Sequence, residues 1–234
     1  MNTMNPAGPL RVGVLPLARP TFDVPYAEQV CEEAWKLMEQ IPVDWVGSSE
    51  LLFDAKSVES QLSEFKKEPL DLLLILQLTF TDASMTVILA ETFDVPLLFW
   101  SFPEKRTGGR LRLNSLCGVN LAAHALGKSG IQCDYLNLNP QYPGSSDALV
   151  SSIRVFQTRK NLTSTKIAVI GEHPHGFQTC AFDSENLEEI TGVTVEHLEL
   201  PDLFTEAEQI SQDTVTEVRS ELDLKINGLE LVEQ

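Results

Sequence analysis

With 234 residues, 43% of them apolar, the chain can build real cores, yet no apolar run is long and uncharged enough to span a bilayer. A formal net charge of −17 sets the surface against nucleic-acid phosphates, and the scattered cysteines Cys31, Cys117, Cys133 and Cys180 follow neither disulfide-framework nor zinc spacing. What these features leave is a cytoplasmic protein with reduced, mostly buried thiols, and a polar opening segment, Met1 to Pro9, that does not read as a signal peptide.

Leu10 to Leu15 is a β-rich run, followed by Pro16 and a loop over Leu17 to Asp23. Val24, Ala27, Val30, Cys31, Ala34, Leu37, Met38 and Ile41 then recur at helical spacing, opposite Glu28, Glu32, Glu33, Lys36 and Glu39. Asp23 stands where an N-cap belongs, with Pro25 in the first turn. Val43 to Val46 predicts a second strand and Asp54 to Glu68 a second amphipathic helix. Leu70 to Leu78 is a near-continuous apolar strand, the pattern expected when helices cover both faces of a sheet. Ala83 to Thr92 predicts a helix, Val95 to Trp100 a strand, Leu116 to Lys128 a helix, Ile131 to Leu138 a strand, and Asp147 to Arg159 a closing helix.

This rhythm means βαβ units and a parallel sheet: an α/β, doubly wound open-sheet domain over residues 10–160, flavodoxin-like or Rossmann-like. The first turn carries no GxGxxG or GxxxxGK glycines, which disfavours a nucleotide site. After a polar joint at Asn161 to Thr165 the pattern restarts. Lys166 to Gly171 predicts a strand, Glu172 to Cys180 a loop, Asn186 to Ile190 part of a short helix, and Val193 to Leu200 a strand. A long acidic helical segment follows from Thr205, so residues 165–234 read as the start of a second, incomplete α/β domain. The stretch 182–234 is strongly acidic, whereas Lys105, Arg106, Arg110 and Arg112 cluster in one loop.

Ligands of open parallel sheets bind beyond the carboxyl ends of the strands, near the point where strand order reverses. That rule selects the loops Leu17–Asp23, Gln77–Asp82, Ser101–Asn114, Asn137–Gly144 and Glu172–Cys180. In the first, Arg19 offers a guanidinium fork and Phe22 an apolar face, while Asp23 reads first as a helix cap. The fourth-strand loop runs from Trp100 through Glu104 and four cations to Asn114, with Gly108-Gly109 permitting close backbone approach. Its structural reading is a mobile surface excursion. Asn120 and His124 share a helix face, where a histidine among apolar neighbours is commonly an interface residue. His173 and His175 lack a third ligand of matching spacing, so they do not make a metal site.

The series Pro16 to Asp23, Trp100 to Glu104, Gly109 to Gly118 and His173 to Phe177 resembles the L-fucose isomerase-like/L-arabinose isomerase superfamily. The resemblance covers nearly the whole chain, as the amino-terminal portion of a longer protein. Members are ketol isomerases that interconvert aldoses and ketoses through an enediol with a divalent metal, usually Mn²⁺. It implies substrate-positioning roles for Arg19, Phe22, Trp100, Glu104, Asn114 and His124, and for His173 and Phe177 in the next domain. It implies a multimer and a small-molecule sugar ligand, and it leaves His175 without a role. The family's metal and catalytic residues sit later in the chain, with no matching position here, so this chain is expected to be inactive alone. Fucose, arabinose or an anionic hexose near Arg106 and Arg110 remain open as the sugar. The alternative is a non-catalytic sugar-binding or regulatory α/β module.

Overall fold

The computed structural model describes residues 8–225. Most of the opening segment, Met1 to Ala7, and the closing Leu231 to Gln234 lie outside these residues. The chain divides into two compact units between Leu162 and Thr163.

In the first unit, β1 (Arg11–Leu17), β2 (Asp44–Val46), β3 (Leu72–Gln77), β4 (Leu97–Ser101) and β5 (Asp134–Asn137) form one parallel sheet in the order β2-β1-β3-β4-β5. The helices between and after them are α1 (Val24–Met38), α2 (Ala55–Phe65), α3 (Ser84–Thr92), α4 (Ser115–Lys128) and α5 (Ser145–Thr163). Two apolar layers sandwich the sheet. Ala27, Val30 and Ala34 of α1 and Leu149 and Ile153 of α5 pack with Val12, Leu74 and Leu76. Leu62 of α2, Leu89 of α3 and Val119 of α4 pack with Leu15, Leu73 and Ile75. Successive residues of β3 thus belong to opposite layers, which is why the strand reads as an uninterrupted apolar run and is buried throughout. Each such leucine removed from water contributes roughly 1.5–3 kcal/mol before ordering costs are set against it.

Strand β1 runs past Pro16, where the sequence pattern suggests a stop. The Pro16 carbonyl accepts the Leu52 N–H at 2.8 Å, on the flank where β2 pairs only with Arg11 to Gly13. Proline's missing donor therefore falls beyond the end of β2 and removes no ladder bond. The thiols also depart from the expectation of general burial. Cys31 is buried and Cys133 half-buried, but Cys117 and Cys180 are exposed.

The second unit holds β6 (Lys166–Ile170) and β7 (Thr194–Leu198), paired in parallel, with α6 (Ser184–Thr191) as their crossover. Asp183 caps α6 by accepting the Asn186 N–H at 3.0 Å. Gly192 closes the same helix at φ +74°, where a Cβ would also meet Thr163 Cγ2 at 2.6 Å. The predicted strand to Leu200 ends at Leu198, because Pro201 starts α7 (Leu200–Glu208). The single acidic helix expected from Thr205 is two: Ser211 caps α8 (Gln212–Lys225), its hydroxyl accepting the Thr214 N–H at 3.2 Å.

Candidate functional site

Strand order reverses between β1 and β3, and the carboxyl end of the sheet is marked by Leu17, Gln77, Ser101 and Asn137, which stand in register on β1, β3, β4 and β5. Gln77 and Ser101 are buried polar residues; Gln77 fastens the loop after β3, and Ser101 ties β4 to β5. Gln77 Nε2 donates to the Thr79 carbonyl at 2.7 Å and Thr81 Oγ1 at 2.9 Å. The Ser101 hydroxyl donates to the Leu136 carbonyl at 3.1 Å. Ser115, at the start of α4, donates to the Gln77 carbonyl and accepts the Phe102 N–H at 2.9 Å. The exits of β3 and β4 and the start of α4 are thus tied to one another.

The segment 102–114 crosses this rim, and Glu104 shapes it. Its Oε2 accepts the Arg112 N–H at 2.6 Å, and its Oε1 accepts those of Leu113 at 3.0 Å and Asn114 at 2.8 Å. One carboxylate holding three amides closes residues 105–111 into an arch and places negative charge at the α4 N-terminus, where the helix dipole favours it. From the foot of the arch, the Leu113 carbonyl accepts the Phe80 N–H at 2.8 Å and the Arg112 carbonyl accepts the Asp23 N–H at 3.1 Å. The loops after β1, β3 and β4 therefore meet at the switch point.

Opposite charges and aromatic faces complete the junction. Arg112 Nε donates to Asp23 Oδ2 at 2.8 Å, and its guanidinium lies 3.8 Å from the Tyr26 ring centroid. Asp23 also accepts the Tyr26 N–H at 3.2 Å, so it is both helix cap and ion-pair partner. The Arg112 hydrogen bond, followed by that amide, holds its carboxyl below the usual carboxylate range. Arg19 is anchored by its backbone N–H, which donates to Thr79 Oγ1 at 2.7 Å, and its guanidinium faces Asp82 at 3.8 Å. The Ser84 hydroxyl and amide, with a smaller contribution from Arg19, hold the Asp82 carboxyl down as well. Phe22 packs 6.2 Å from Phe80, and Arg110 of the arch sits 4.7 Å from the Phe22 ring centroid.

Asn114 stands at the N-cap of α4 with φ +53°, and its side chain makes no cap bond. Left-handed backbone costs an L-residue roughly 1–2 kcal/mol, least for asparagine, so the position combines mild strain with an amide not committed to its own helix. Beside the arch, Tyr26, Lys105, Thr107, Arg112, Asn139 and Gln141 help line a cavity of about 370 Å³, a size suited to a small polar ligand.

Arg19, Phe22, Glu104 and Asn114 are thus brought to one rim. Trp100 is placed beneath it: fully buried, stacked on Phe102 at 5.2 Å, with its indole N–H donating to the Leu138 carbonyl at 2.9 Å. Both its surface and its donor are used by the fold, so it supports the loops from below and presents no face to a sugar. His124 is exposed on α4, ten residues beyond Asn114 and so about 15 Å along the helix axis. It does not share the rim. His173 and Phe177 are exposed in the segment after β6 of the second unit, in which Phe177 donates its N–H to the Pro174 carbonyl at 3.1 Å. Tyr26, Asn139 and Gln141 went unselected in the sequence, although the loop holding the last two did not. Only an aromatic one turn into α1 and amides after β5 could have pointed to them.

The junction offers guanidinium and ammonium donors, side-chain amides and aromatic faces, which suits holding and orienting a polyhydroxylated ligand. Among the described residues no group of three or more His, Cys, Asp or Glu converges to hold a metal ion, so no step through a metal is assigned to them.

Comparison with known proteins places the chain in a family. The family described as fucose/sulfoquinovose isomerase, N-terminal domain, matches residues 13–168. A sulfoquinovose isomerase of Alkalicoccus urumqiensis is 31% identical over 87% of this chain, and that of Priestia megaterium 29% over 87%. A third, from a Clostridium species, is 29% identical over 94% of it. The chain spans about half the length of these relatives, 46% of the first two and 49% of the third. With the family matched across most of the open-sheet unit, the chain belongs to the fucose/sulfoquinovose isomerase N-terminal domain family.

Proposed function

We propose that this chain supplies the sugar-positioning half of an aldose–ketose isomerase acting on a sulfonated hexose of the sulfoquinovose type. The observation that carries the reading is the junction of the β1, β3 and β4 loops, where Arg19, Phe22 and Asn114 are held together by the Glu104 arch and the Asp23–Arg112 pair. Aldose–ketose interconversion moves a proton between neighbouring carbons of an opened sugar, and it needs the rest of the molecule held still while it happens. Fixed donors and an aromatic face do that work: Arg19 and Asn114 take sugar hydroxyls, and Phe22 packs against a C–H face. The relatives' name adds the sulfonate, and their length, about twice that of this chain, adds polypeptide for the remaining groups. In this reading a divalent metal, Mn²⁺ by family resemblance, is held by that polypeptide and polarises the carbonyl when bound.

The test joins calorimetry with sulfoquinovose to an isomerisation assay with Mn²⁺, both on this chain. Sugar binding without turnover is the expected result. Turnover at ordinary enzymatic rates would mean that the metal ligands lie in this chain, and failure to bind sulfoquinovose or any simple aldose would remove the positioning role.

A further inference from the structure

We infer that the cavity beside the arch is a subsite for a tetrahedral oxyanion, the sulfonate of a sugar, gripped by Arg112 and Lys105. The inference rests on the sulfonated-hexose reading above and assigns the anionic end of the ligand a place of its own. A guanidinium is a strong anion clamp only when its plane is fixed beforehand, and Arg112 is fixed twice. The Tyr26 ring lies 3.8 Å from it, and Asp23 holds its Nε edge at 2.8 Å. A guanidinium carries five N–H donors, and the Asp23 bond takes the one on Nε, so its Nη edge can meet an oxyanion. Lys105, the first residue of the arch, lines the same cavity and adds a second cation.

The acids of the cavity wall are committed to the protein's own donors. Both Glu104 oxygens accept backbone amides of the arch foot. Glu33 accepts Gln141 Nε2 at 2.6 Å, which fixes the opposite wall of the cavity. In that wall Asn139 Oδ1 accepts the Gln141 N–H at 2.9 Å, so the Asn139 amide is turned by its own loop, with its NH₂ as the remaining donor. Over a molecule of net charge −17, Lys105, Arg106, Arg110 and Arg112 make this arch the place where an anion is drawn in rather than repelled. At about 370 Å³ the cavity admits the charged end of a hexose together with part of its ring.

The experiment compares three ligands by calorimetry on this chain: sulfoquinovose, the same sugar without its sulfonate, and glucose 6-phosphate. Each is repeated on Lys105→Gln and Arg112→Lys, with thermal melting to confirm folding. Sulfoquinovose is expected to bind at least about tenfold tighter than its unsulfonated counterpart, and each substitution should erase most of that margin. Equal affinity for the two sugars, or no loss in either folded variant, overturns the subsite and leaves the sugar-positioning role standing. Tighter binding of the phosphate ester, lost in both variants, keeps the subsite but overturns the sulfonated substrate. Absence of binding by all three ligands overturns both.

Discussion

Strands β3 and β6 have nearly the same character, LLLILQ and KIAVI, and both lie in parallel pairings. Every residue of β3 is buried, whereas Ile167 and Ile170 of β6 are 41% and 44% exposed. The difference lies in what surrounds each strand. In the first unit five helices cover two faces of a five-stranded sheet; among the described residues of the second, two strands are joined by one crossover helix, and none of α6, α7 and α8 has a buried residue. An aliphatic run therefore states the surroundings a strand is suited to, and its neighbours decide whether the strand has them.

The sharpest way to break this comparison is to truncate one apolar strand side chain in each unit. Trp100→Ala should destabilise the first unit by about 3–5 kcal/mol in urea unfolding, whereas Ile170→Ala in the second should cost under about 1 kcal/mol. Comparable losses would mean that β6 is packed as tightly as β4. Next in size is Gly118→Ala. A Cβ there would meet Gln77 Nε2 at 2.9 Å and its Cδ at 3.0 Å, and Gln77 is fully buried. A loss of roughly 1–3 kcal/mol is expected, against no measurable change for Gly109→Ala, where nothing lies within 4 Å.

Glu104→Gln should cost about 1–2 kcal/mol, because an amide cannot accept from three N–H groups as a carboxylate does. Hydrogen exchange at the Arg112, Leu113 and Asn114 amides should quicken, and exchange in α6 should not. A smaller effect follows from Asp23. Its lowered pKa means that its contribution is fully present above the unfolded-state value, about 4, and is lost as pH falls through the lower folded value. Asp23→Asn should flatten the acid limb of the urea midpoint against pH; an unchanged limb would show that the Arg112 pair does not persist in solution. The least effect on stability is expected from Asn114→Gly, within about 0.5 kcal/mol, since glycine accepts the left-handed backbone. Sugar affinity should nonetheless fall, separating the amide's role at the rim from that of the turn.

The parallel sheet was legible because its runs alternate with amphipathic helices, and the rim followed from the rule that ligands sit beyond carboxyl ends. Reading Pro16 as a stop shortened β1, since composition does not reveal that β2 ends earlier and frees that flank. The loop from Trp100 to Asn114 stood out by its charge, but its structure depends on Asp23 and Arg112, which lie 89 positions apart. No local pattern connects such a pair. Trp100 illustrates the opposite limit: an aromatic at a strand end looks the same in sequence whether it faces a ligand or fills a core. His124 was placed on the right helix, yet helical rise carries it away from the rim.

The distribution of thiols has a practical outcome. Burial pushes the Cys31 thiol up to about 12 and raises that of Cys133, which leaves both poorly reactive toward alkylating dyes near neutral pH. The exposed pair, Cys117 and Cys180, falls one to each unit. The native protein thus carries two attachment points for a fluorescent donor and acceptor, and energy transfer between them would report the spacing of the units, and any response to sugar, without a single introduced mutation.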